Sequence, residues 1–164
     1  MNRVNIRIAA AALLVIALMA LGVASAALQA QNETEKPAQT AAPSGARSVW
    51  DGVYTEDQAK RGEPLCNAEC TFCHGVKLTG GESAPPLVGG EFLSNWNGLT
   101  LGALFERIRL TMPQDTPSRL SRQQKADILA YILSINKFPA GKAELQQKTE
   151  LLKEIKFEAN KPKE

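Results

Sequence analysis

Cys70-Thr71-Phe72-Cys73-His74 is a run of side chains whose spacing suits one piece of chemistry. Two thiols three positions apart can add to the two vinyl groups of a single haem. A histidine directly after the second thiol is then carried beneath the iron as an axial ligand. Cys70 and Cys73 are thus candidate attachment residues and His74 a candidate iron ligand. The same Cys-x-x-Cys pair also serves zinc and thiol-redox sites, so its surroundings must decide between them.

The iron of such a haem needs a second axial partner, and the chain offers few. His74 is the only histidine, which excludes two-histidine ligation within one chain. Beyond the first 26 residues Met112 is the only methionine, in Thr111-Met112-Pro113. It falls at the end of an expected helix, in a proline-stiffened loop. Two readings stand: an adaptable filler of a core gap, or a thioether ligand presented at a fixed height. The attachment run upstream and the lack of a competing ligand favour the second. Histidine–methionine ligation raises the reduction potential and closes both axial positions, which suits electron transfer rather than oxygen chemistry.

Those residues need elements to position them, within 164 residues in all. Arg3 and Arg7 precede an apolar run from Ile8 to Leu28, with Ala24-Ser25-Ala26 near its end. This describes an export signal over residues 1–26, cleaved after Ala26. The apolar run is equally long enough to cross a bilayer as an uncleaved anchor. Either reading puts the remainder in the periplasm, free or held at the inner membrane. Gln31 to Ser48 is rich in Gln, Glu, Lys, Pro, Ala and Thr, so residues 27–48 read as a flexible linker. Arg3 and Arg7 account for the whole excess of 19 basic over 17 acidic groups. A neutral folded part lacks the basic face that nucleic-acid binding requires. Cys66 completes an odd set of 3 cysteines, where a disulfide framework favours an even count.

Thr55 can cap a helix from about Glu56 to Glu69, with a kink or late start imposed by Gly62 and Pro64. Gly75 to Gly98 reads as loop, punctuated by Gly80-Gly81, Pro85-Pro86 and Gly89-Gly90. Leu101, Leu104, Phe105 and Ile108 give Thr100 to Leu110 a helical apolar stripe. Pro113 and Pro117 hold the following stretch in an extended turn. Ser121, with Gln124 as its capping-box partner, opens a helix to about Asn136. Its buried face is Ile128, Leu129, Ile132 and Ile135. Glu144 to Phe157 forms a last amphipathic helix in a C-terminal extension, residues 141–164, that follows a main domain at 49–140. No alternating strand is visible. The fold class is all-α.

Four motifs together carry a family resemblance. Gly62-x-x-x-Cys66-x-x-x-Cys70-x-x-Cys73-His74-Gly75, then Ala84-Pro85-Pro86-Leu87, then Thr111-Met112-Pro113, then Asp127-Ile128-Leu129-Ala130-Tyr131-Ile132-Leu133 resembles a class I c-type cytochrome over about Trp50 to Pro139. The resemblance implies a helical domain wrapped around one covalent haem c. Cys70 and Cys73 would form its thioether bonds, and His74 and Met112 would bind iron. Pro85 would offer its carbonyl to the other nitrogen of His74, and Leu87 would pack on the haem face. Read without the family, Pro85 and Leu87 are equally ordinary loop residues. The resemblance further implies an electron carrier and not an enzyme, passing single electrons between redox proteins, a donor dehydrogenase and a terminal acceptor. Val49-Trp50-Asp51-Gly52-Val53-Tyr54 is similar to monohaem cytochromes that serve quinoprotein alcohol dehydrogenases. Trp96 and Arg109 are suitable donors for haem propionates, against plainer core or surface roles.

At Cys66 the chain departs from this family, which usually has an aromatic residue there, packed where the first helix crosses the last. A smaller side chain predicts a shallow void or a shifted crossing. Cys66 is then either a small buried hydrophobe or a spare thiol available to another chain. A rival from another class uses all three cysteines: Cys66, Cys70 and Cys73 resemble the iron–sulfur motif of radical SAM enzymes, and Gly80-Gly81-Glu82 resembles that family's methionine-binding run. The ordered part is too short for that family's barrel of strand–helix units, and export would carry an oxygen-labile cluster into an oxidising compartment. A zinc module lacks its usual second ligand pair.

Overall fold

Thr55 is extended (φ −102°, ψ 154°), and its side chain accepts from the N–H of Gln58. That cap starts the first long helix in a computed structural model that describes residues 47–163. The signal or anchor at 1–26, and the linker as far as residue 46, lie outside the described residues. The described residues form one compact unit. In chain order its elements are β1 (Arg47–Ser48), α1 (Glu56–Glu69), α2 (Thr71–His74), α3 (Gly89–Trp96), α4 (Leu101–Thr111), a 3-10 turn (Pro117–Arg119), α5 (Arg122–Ile135), α6 (Thr149–Leu152) and β2 (Ile155–Lys156). The architecture is all-α, with one two-residue parallel pairing of β1 with β2.

The helix starts follow from capping. Thr100 accepts from the N–H of Ala103, and Ser121 and Gln124 make both bonds of a capping box. The main packing contact is the crossing of α1 over α5. There Gly62 is buried, and a Cβ added to it would lie 1.9 Å from the Asp127 carbonyl oxygen. Gly62 and Pro64 therefore do not delay α1, which runs unbroken through both. Gly62 permits the crossing. Pro64 sits on the exposed face, where the carbonyl it leaves without a donor can meet water. Arg61 reinforces the crossing: its Nη2 lies 3.2 Å from Asp127 Oδ1 and 2.7 Å from Glu144 Oε1.

Two other expectations are corrected. Gly75 to Gly98 is not all loop, because α3 occupies its last third. Gly89 takes φ +83° and starts that helix, and Phe92 buries itself at 1% exposure. Glu144 to Phe157 is not one helix. It is a strap with a single helical turn, and it is seated in the core: Leu145, Leu152, Ile155 and Phe157 are all buried. Gln58 holds the strap with two bonds, Nε2 to Leu145 O (3.0 Å) and Leu145 N–H to Oε1 (2.6 Å). Phe157 stacks edge-on against both Phe92 and Phe138. Arg47 and Ser48, expected in the linker, pair with this strap at Ile155 and Lys156.

Candidate functional site

Cys70 ends α1, its N–H donating to Cys66 O at 2.9 Å, and the single turn of α2 follows at once. Within that turn His74 N–H returns to Cys70 O at 2.9 Å. One and a half turns of helix therefore present two half-buried free thiols, Cys70 and Cys73, beside a buried imidazole. Phe72 between them is 94% exposed.

The imidazole is oriented by one contact. His74 Nδ1 lies 2.6 Å from Pro85 O. A carbonyl oxygen can only accept, so Nδ1 carries the proton and the lone pair of a neutral ring is on Nε2. Among the described residues Nε2 has no hydrogen-bond partner, and since no fully buried side-chain nitrogen or oxygen lacks one, Nε2 is the ring atom left open. A ring so held, next to two thiols at attachment spacing, fits a covalent haem with iron at Nε2.

Residues 75–88 bring Pro85 to this place mainly through their own backbone. Leu78 N–H donates to Gly75 O (2.8 Å), Gly80 N–H to His74 O (2.9 Å), Gly81 N–H to Ala84 O (3.0 Å) and Leu87 N–H to Leu78 O (2.8 Å). Gly80 is at φ +80°, and a Cβ there would meet Pro86 N at 2.7 Å. Leu87 is half-buried against the core. Asn136, just past α5, ties this loop down: Nδ2 donates to Leu87 O (2.9 Å), and Oδ1 accepts from Gly89 N–H (3.1 Å).

Met112 caps the C-terminus of α4 in an extended conformation, half-buried against the core. Its loop is held by Lys125, which is 2% exposed and donates to Arg109 O and Pro117 O. Burial, and after it the nearby Arg109 charge, hold the Lys125 ammonium below its ordinary pKa. Neither Asn136 nor Lys125 was singled out by sequence reasoning. Lys125 did carry a signal, since with Ile128, Leu129 and Ile132 it lies on the apolar stripe of α5.

Other candidates have different surroundings. Cys66 is fully buried; its S–H contact with Cys70, and then burial, push its thiol pKa up, and the same contact lowers that of Cys70. A hollow of about 440 Å³ beside the crossing is lined by Lys60, Glu63 and Tyr131 but not by Cys66. Arg109 gives Nε and Nη2 to Glu106, each at 2.7 Å, and Trp96 packs half-buried on the core. The run Val49 to Tyr54 is spent inside the fold. Val49, Val53 and Tyr54 are buried, Tyr54 Oη donates to Phe138 O (2.7 Å), and Trp50 Nε1 donates to Glu158 O (2.9 Å). Among the described residues no three His, Cys, Asp or Glu side chains converge on a metal-sized site, and no helix is long and apolar enough to cross a membrane. The described residues, all-α, do not build the strand–helix barrel that the three-cysteine cluster reading requires.

A helical unit of this kind, crossed through Gly62 and presenting Cys-x-x-Cys-His beside a carbonyl-anchored imidazole, is a class I c-type cytochrome domain. Within that class, residues 57–132 match the family model described as cytochrome c oxidase, cbb3-type, subunit III. Haem c, covalently bound, is the cofactor of such a domain, and electron carriage is its function. No curated protein and no solved structure matches the chain.

Proposed function

We propose that the protein is an exported single-electron carrier. One haem c is joined to Cys70 and Cys73, and its iron is bound by His74 and Met112. The observation that carries this reading is the 2.6 Å contact of His74 Nδ1 with Pro85 O, within an attachment motif that occurs once in the chain. Bound haem supplies a one-electron ferric–ferrous couple. The chain's own residues set its conditions. Pro85 O fixes the tautomer and orientation of His74 and raises its basicity. The Met112 thioether favours the ferrous state and keeps other ligands from the iron. Leu87 supplies apolar cover.

Phe72 and Val76, 94% and 88% exposed, flank Cys73-His74-Gly75 in sequence and offer apolar surface at the attachment site. Redox proteins, a donor dehydrogenase and a terminal acceptor, dock there through the small, transient interface usual for electron transfer. The N-terminal segment directs the domain to the periplasm and holds it at the inner membrane if it is not cleaved. The family description favours one second reading, in which the domain is a fixed subunit of an oxidase. Co-purification with a membrane oxidase through detergent would separate that reading from a free shuttle.

Replacing Met112 with alanine should abolish the weak near-infrared sulfur-to-iron band and lower the reduction potential. Survival of both removes Met112 from the iron. Acid extraction of the denatured polypeptide should leave the pigment on the chain; a colourless chain ends the haem assignment.

A further inference from the structure

Lys125 is 2% exposed, yet no carboxylate among the described residues pairs with it. Its Nζ instead donates to two backbone carbonyls, Arg109 O at 2.8 Å and Pro117 O at 2.6 Å. These carbonyls bracket Met112. The last turn of α4 explains the first bond. Arg107 O accepts from Thr111 Oγ1 (2.7 Å), and Ile108 O accepts from Met112 N–H (3.1 Å). Arg109 O is the next acceptor, and in a continuing helix it would take the N–H of residue 113. Residue 113 is proline and has none. Lys125 supplies the missing donor and sets a cation at the negative end of α4. The second bond reaches Pro117, the first residue of the 3-10 turn. One ammonium group thus fixes both ends of the segment that carries Met112.

We infer that Lys125 is the positioning residue for Met112: from α5 it clamps the segment 109–117 so that the thioether is held ready for iron. This rests on the ligand role proposed for Met112. A neutral side chain of similar size would fill the space but leave both carbonyls without a donor and remove the tie that joins them across Met112.

The test is imidazole titration of the full-length ferric holoprotein, with imidazole competing for the position Met112 holds, read with the near-infrared band. Lys125→Met should lower the imidazole Kd about tenfold, equivalent to about 1.4 kcal/mol, and weaken the band. Lys125→Arg, which keeps charged donors, should restore most of both. In a Met112→Ala background there is no thioether to position, so Lys125→Met should change the Kd by no more than about twofold. Should Lys125→Met fail to accumulate as holoprotein, Lys125→Leu, which also lacks a donor, gives the same readout. A lowered Tm with unchanged Kd and intact band overturns the inference and leaves Lys125 as a helix cap. If Met112→Ala itself leaves band and Kd as in the parent, the ligand assignment fails, and the inference falls with it.

Discussion

The loop beside His74 and the loop that carries Met112 are held by opposite means. Residues 74–87 close on themselves through four backbone hydrogen bonds, with Gly80 seated where no side chain fits. Asn136 adds one tie from outside. Residues 112–119 have only two local bonds of the same kind, Thr116 N–H to Pro113 O (3.2 Å) and Arg119 N–H to Thr116 O (3.1 Å). Apart from the local Arg119–Asp115 ion pair, the rest of their support is tertiary: Lys125, and the Arg119–Glu69 ion pair at 3.3 Å. A segment closed by its own backbone opens only when its own bonds break. A segment held from outside opens whenever its clamp does. The imidazole side is the rigid half of this site, and the thioether side is the half that other parts of the fold can adjust.

Four perturbations would break or sharpen that contrast. The largest effect is expected on the rigid side. Gly80→Ala puts a Cβ against Pro86 N at a positive φ, and should cost about 3 kcal/mol in denaturant unfolding. A cost below about 1 kcal/mol would mean that this loop yields easily. Next comes Lys125→Met, which leaves two carbonyls without a donor and should cost about 2 kcal/mol. Hydrogen exchange at the Met112 amide should quicken, while that of Gly80 should not. Asn136→Ala should cost about 1 kcal/mol and speed exchange at Gly89 alone. A change in the near-infrared band of that variant would show the two sides to be coupled.

The smallest effect is set by pH. Glu106 of α4 is held at about 2 by its pairing with Arg109 and then by the Thr149 hydroxyl of the strap. Its folded pKa lies below the ordinary value of 4.5, so the stability it contributes is full above that value. That contribution is lost as pH falls toward about 2. Unfolding midpoints compared at about pH 5 and about pH 3 should differ less for Glu106→Gln than for the parent. An equal fall in both would take Glu106 out of the strap's attachment.

Much of the fold could be read from the chain because it is local. Thr55, Thr100 and Ser121 cap their helices with residues three positions on, and the stripe Leu101, Leu104, Phe105, Ile108 repeats at helical spacing. The elements misread were those whose order comes from distant partners. In α3, Gly89 and Gly90 look like loop punctuation, and what anchors the helix is Phe92 on Phe157, 65 positions away in sequence. The strap from Leu145 to Phe157 has helical spacing but follows the groove offered by Gln58, β1 and the aromatic cluster.

What the amino-acid order alone determined is the attachment chemistry. Two thiols and an imidazole five residues from end to end meet on one turn of helix whatever the rest of the chain does, because helical rise and pitch are properties of the backbone. What only the tertiary structure decided is how the ligands are held. Gly62 was open to reading as a break and proved to be a crossing point. Lys125 on α5 and Asn136 just past its end turned out to hold the two loops. A buried polar side chain takes its role from whichever backbone groups lack a partner nearby, and those are known only once the chain has folded.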